Sequence, residues 1–181
     1  MKSKDNLIQN ENFLILFTIG HSNLSTNKFL ELLKANGILC IIDVRSIPHS
    51  KYNKNFAKGH ISSELSQHGI DYIWMGDTLG GRRDDLKNSI GFREDDRYDS
   101  NEKYNNAVLE LMHIGFTKPT AIMCSEEDPR RCHRHKIIVH TLLHKFPEKY
   151  KINNIKISHI RASGKLEDAS LIQIYFQPSL F

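Results

Sequence analysis

Short apolar runs alternate along this chain with segments of helical periodicity, and nearly every run stops at a polar residue capable of chemistry. The runs 13–19, 38–44 and 120–124 are apolar, as strands buried on both faces must be, and 152–160 reads as a further strand ending in His159. Between them, Phe29, Leu32, Leu33 and Ala35 recur at helical spacing in 26–36, which Ser25 caps and Gly37 stops. Tyr104, Ala107, Val108, Leu111 and Met112 do the same in 102–116. Asp128 and Pro129 supply an N-cap and a first-turn proline for a helix over 129–145. A short helix at 60–68, a strand at 72–75 and a β-like piece at 171–176 complete the pattern. Strands alternating with helices require right-handed crossovers and a mainly parallel sheet covered on both faces. The fold class is α/β, a three-layer sandwich of Rossmann-like or rhodanese-like outline. Residues 1–12 form a polar arm and 13–181 a single domain.

Composition narrows the setting. At 181 residues and 39% hydrophobic, the chain can bury one proper core and is short for two. A net charge of +4 suits an anionic small molecule or nucleotide, and is compatible with nucleic acid. No run approaches the roughly 20 apolar residues of a membrane span. Residues 1–12 lack the hydrophobic centre of a signal peptide, and three cysteines is an odd count, so the expected compartment is the cytoplasm.

In a parallel sheet the carboxyl ends of the strands share one edge, where ligands bind. That edge should gather His21 and Ser22, Asp43 and Arg45, Cys124 and Glu126, and His159. The stretch 123–134 is the richest, with Cys124, Glu126, Cys132, His133 and Arg134 between a strand and a helix. The chemistry of these groups points to an enzyme acting on an anionic substrate. Cys124 is the nucleophile or ligand, Glu126 the acid or base and His21 the proton carrier, since its unperturbed titration spans neutrality. Cys132 would resolve an oxidised or persulfidated Cys124. Arg45 and Arg134 would clamp the anion, with Asp43 orienting Arg45 or His21. Ser22, His133 and His159 join them as substrate contacts. Glu126 and Glu127 would otherwise pair with Arg45 or Arg134.

Competing patterns are weaker. Cys124 and Arg130 match the Cys-x5-Arg of phosphatase loops, but Glu126, Glu127 and Asp128 would repel a phosphate dianion. Zinc is compatible with Cys124, Cys132 and His21, with His159 or His133 as fourth ligand; no Cys-x2-Cys pair favours it, so no metal is assigned. Gly80 and Gly81, followed by Arg82, would let backbone amides approach an anion within the long aperiodic segment 76–100. Tyr52, Phe56, Tyr72 and Trp74 read as packing residues rather than a base-stacking surface. Asp43, Val44 and Arg45 followed by Gly59, His60 and Ile61 resemble the first half of a rhodanese domain. The alternative functions are therefore sulfur transfer through Cys124 and non-catalytic binding of a nucleotide or nucleic acid.

Five motifs in order resemble those of the bacterial and archaeal family called domain of unknown function 488. They are 18–22, Asp43 to Arg45 with Pro48 and Ser50, Leu79 to Gly81, Cys124 to Arg134, and His159 with Ile160. The resemblance runs from residue 18 to about 160 and implies a fold and a shared site, without a reaction. Lys51 stands where that family usually has arginine, and lysine offers a point charge instead of a bidentate fork.

Overall fold

Side-chain alternation along the strands decides the layering. Ile41, Ala121 and Met123 point to one face of the sheet; Cys40, Ile42, Ile122 and Cys124 point to the other. The structure, a computed structural model, describes residues 13–49, 53–81, 101–150, 152 and 154–172. Its strands are β1 Leu14–Gly20, β2 Cys40–Asp43, β3 Asp71–Trp74, β4 Thr120–Cys124, β5 Ile155–Ile160 and β6 Leu166–Asp168. They form one sheet in the order β3-β2-β4-β1-β5-β6, parallel except for β6.

Helix α1, Thr26–Ala35, and helix α2, Lys58–Gln67, cover the first face through Phe29, Leu30, Leu33, Ile61 and Leu65. Helix α3, Glu102–Thr117, covers the second through Tyr104, Val108, Leu111 and Met112. Helix α4 joins it there; its backbone is wound as a π-helix over Arg134–Val139 and Thr141–Lys145 and as an α-helix over Phe146–Tyr150. The connections leaving β1 and β2 thus pass over one face, and those leaving β3 and β4 over the other. Because β4 lies between β2 and β1, loops part in opposite directions at this point and open a crevice. Among the described residues no helix is long and apolar enough to cross a membrane.

Three details differ from the sequence reading. The helix expected over 129–145 is interrupted. Asp128 accepts from the Arg130 amide and caps only the 3-10 turn Pro129–Arg131, after which Cys132 is extended at φ −117°, ψ 138°. The Cys132 carbonyl then accepts from the His135 and Lys136 amides, so the chain restarts as α4 with Cys132 outside its first turn. A second difference is β6, three half-exposed residues antiparallel to β5, too short and polar to show periodicity. Finally, the 3-10 turn Ala169–Leu171 stands where the β-like piece was expected to begin; 173–176 lie outside the described residues, as do 1–12, 82–100, Ser50, Lys51 and Tyr52.

Candidate active site

Register places the polar strand ends side by side. Gly20 pairs with Cys124, Asp43 with Met123 and Thr18 with His159. The His21 and Ser22 amides continue the ladder to the carbonyls of Cys124 and Ser125. Gly20 is required here: a Cβ would lie 1.8 Å from the Glu126 carbonyl oxygen and 2.8 Å from the Glu127 Cα. The 125–128 loop therefore lies directly over the end of β1.

On the floor of a cleft of about 430 Å³, lined by Arg45, Ser46, Ile47, His49, Gly81, Cys124, Ser125, Glu126 and His133, two thiols meet one carboxylate. Glu126 Oε2 accepts from Cys124 Sγ at 3.3 Å and from Cys132 Sγ at 3.2 Å. Cys124 Sγ also lies 3.7 Å from His133 Nδ1. His133 Nε2 is 3.2 Å from the Val44 carbonyl, an oxygen that only accepts, so Nε2 carries the proton and Nδ1 presents its lone pair to the sulfur. Burial pushes the Glu126 carboxyl up, but hydrogen bonds from Cys132, its own amide and Cys124 outweigh it and hold the group below its usual range. The two thiols divide. Its hydrogen bond with Cys132, burial and the Glu126 charge push Cys124 up. The hydrogen bond with Cys124, opposed by burial and helped by His133 and the Arg134 charge, brings Cys132 down. The exposed face of the pair is Cys124, which lines the cleft; Cys132 lies behind it, 1% exposed.

Arg45 is held from four sides. Asp43 takes Nε at 2.9 Å and Nη2 at 2.6 Å, while Nη1 donates to the Phe56 carbonyl and to His21 Nε2. Asp43 is itself held by the Tyr72 hydroxyl at 2.6 Å, and Trp74 Nε1 donates to the Arg45 carbonyl. Tyr72 and Trp74 thus support the site from behind. His21 stacks on Phe56 with centroids 4.3 Å apart, and its Nδ1 donates to the Ser22 carbonyl. Burial and the Arg45 charge lower its pKa to about 4. It is a neutral ring behind Arg45, outside the cleft lining. Ser22, at φ 39°, sits in the left-handed region at the turn from β1 to α1, also outside the lining.

Arg134 is 0% exposed, and its guanidinium is turned to the loop backbone. Nη1 donates to the Glu126 carbonyl, Nη2 to the Glu127 carbonyl at 2.8 Å and Nε to Thr18 Oγ1 at 3.1 Å. Thr18 in turn contacts His159 Nδ1 at 2.7 Å, and His159 Nε2 contacts His135 Nδ1 at 3.1 Å. Burial lowers the pKa of His159 to about 3 and that of His135 to about 4. This chain of groups lies beneath the loop and shapes it. Glu127 pairs with Arg161, not with Arg45 or Arg134, through bonds of 2.9 and 2.7 Å. Glu167 bridges Arg161 and Arg130.

Gly80 and Gly81 serve close approach. A Cβ on Gly80 would meet the Gly76 carbonyl at 2.2 Å and Ser46 Oγ at 2.4 Å; on Gly81 it would meet His133 Cγ at 2.8 Å. Arg82 lies outside the described residues. A larger cavity of about 780 Å³, between β3 and α3, holds none of the site residues read from the sequence. The contributions of Tyr72, Trp74, Phe56 and His49 to the site were not read from the sequence. Tyr72, Trp74 and Phe56 look like ordinary packing residues, and His49 has no pattern around it.

A family model described as Domain of unknown function DUF488 matches residues 25–140, which include the β2 end, the glycine pair and the 124–134 stretch. No curated protein and no solved structure matches the chain.

Proposed function

The chain belongs to the DUF488 family, and from that premise we propose that it is an enzyme acting on an anionic, nucleotide-sized small molecule in the sheet-edge cleft. The observation that carries this reading is the meeting of both thiols with Glu126, and of Cys124 with the His133 imidazole, at the cleft floor. Groups able to ligate, attack or exchange protons rarely converge for packing alone. The cleft volume falls within the range of about 300–1,000 Å³ usual for ligand sites. Arg45 lines the cleft, and its charge, fixed by Asp43, Phe56 and His21, offers an anionic substrate a cation there. His49 and His133 line the same space.

In this reading Glu126 moves protons, and Cys124 and His133 line the place where the substrate binds. Cys132 supports Cys124 from behind, and His21 with Asp43 positions Arg45. Three free cysteines fit work in the reducing cytoplasm. The test is a panel of nucleotides and phosphorylated small molecules, followed by mass spectrometry for product and by thermal shift for binding. Glu126→Gln should lose turnover by about 100-fold or more while still binding the substrate. A ligand that binds both proteins equally and is never converted would instead mean a binding module.

A further inference from the structure

We infer that Cys124, Cys132 and His133 form a zinc site whose fourth position is left to water or substrate. The inference rests on the cleft being an active site and names its cofactor. The donor atoms of Cys124, Cys132 and His133 all lie within 4.8 Å of one another, and they come from the end of β4 and the break before α4. Tetrahedral zinc with Zn–S about 2.3 Å and Zn–N about 2.0–2.1 Å sets donor atoms roughly 3.5–3.8 Å apart. Cys124 Sγ and His133 Nδ1 already stand at 3.7 Å. Glu126 Oε2 stands 3.3 and 3.2 Å from the two sulfurs, next to the three donors rather than among them. Two thiolates and one imidazole select zinc over the harder divalent ions.

Features outside the donor set support this. The Val44 carbonyl fixes the His133 tautomer, so that Nδ1, the nitrogen facing the sulfur, is the one free to bind metal. Gly81 packs against that ring, where a Cβ would lie 2.9 Å from Nδ1. Arg134 is fully buried with no ion pair among the described residues. Two thiolates, a carboxylate and Zn²⁺ together carry one net negative charge, and a buried guanidinium needs such a neighbour. Zinc binds both sulfurs as thiolates, so binding releases the protons they still carry and strengthens as pH rises. Three protein ligands would leave the fourth position to water or a substrate oxygen, with the Glu126 carboxylate beside the sulfurs as a base, which makes metal-assisted hydrolysis the reaction class.

The test uses the full chain, stripped with chelator under reducing conditions and reloaded with Zn²⁺ or Co²⁺. Expected are one zinc per chain, proton release on binding and an intense thiolate-to-cobalt absorption band. Cys124→Ser, Cys132→Ser and His133→Asn should each weaken zinc binding by about 100-fold or more, while Cys40→Ala leaves it unchanged. Folded wild-type protein that gives only the weak spectrum of hydrated Co²⁺ overturns the site, whether or not the variants fold. Undiminished zinc binding by Cys132→Ser overturns it too. Turnover that persists in chelator removes the metal and leaves the enzyme. Tight zinc binding with no turnover on any substrate leaves the metal and removes the enzyme.

Discussion

His133 donates from Nε2 to the Val44 carbonyl at 3.2 Å, joining the start of α4 to the end of β2 across the site. The bond leaves Nδ1 unprotonated and aimed at Cys124, and the missing side chain of Gly81 leaves room for the ring. Gly81→Ala should push the ring aside. Turnover should fall by about 10- to 100-fold, as expected for a misplacement of roughly an ångström. Melting temperature should barely move, since Gly81 lies at the cleft surface. Paired kinetics and thermal melts check this.

Arg134 is an internal strut. Arg134→Met strands the carbonyls of Glu126 and Glu127 and the hydroxyl of Thr18. At about 1–3 kcal/mol for each buried group left unpaired, a loss of 3 kcal/mol or more is expected in urea unfolding. Arg134→Lys should recover only part of it, because an ammonium cannot reach two carbonyls in a fixed fork.

Asp43→Asn should cost about 3–5 kcal/mol by leaving the Arg45 charge uncompensated in a buried setting. Tyr72→Phe, which removes one hydrogen bond to the same carboxylate, should cost nearer 1 kcal/mol. Denaturant midpoints distinguish the two.

Acid should destabilise the fold through its buried histidines. His21 and His159 have native pKa values lowered to about 4 and about 3 from an ordinary 6.5. Below pH 6.5 the unfolded chain binds protons that the native chain refuses. Their stability is thus complete above pH 6.5 and is lost as pH falls toward 4, by up to about 1.4 kcal/mol per pH unit for each ring. Melts from pH 7.5 to 5 should show the slope, and His159→Gln should flatten it.

Glu127→Gln loosens the loop from Arg161 without touching the thiols. Both partners are partly exposed, so the cost should stay within about 1 kcal/mol and shrink with added salt. A larger, salt-independent loss measured by chemical denaturation would show that this pair does more than tether the loop.

The strand ends were legible because a continuous apolar run that stops at His21, Asp43 or Cys124 reports both burial and edge. The roles of the two arginines were not. Arg45 and Arg134 look alike in sequence, yet one is fastened to a carboxylate two residues away and the other to carbonyls of a loop eight residues back. The meeting of Cys132 and His133 with Cys124 depends on the chain breaking after Pro129–Arg131. Helical periodicity does not record such a break, and the usual Cys-x2-Cys spacing is absent. Tyr72 and Trp74 read as packing residues in sequence, and nothing local says that their polar tips reach Asp43 and Arg45.

The strand order also governs how the molecule must assemble. β1, among the first residues described, hydrogen-bonds only to β4 and β5, whose partners lie more than a hundred residues later. During synthesis one edge of β1 stays open until residue 124 has emerged and the other until residue 160, while β2 and β3 can pair early. Such long-range closure makes for slow folding and a prolonged risk of intermolecular strand pairing. A chain cut before β5 would keep every thiol of the site and still leave the strand at its centre without a neighbour on one side.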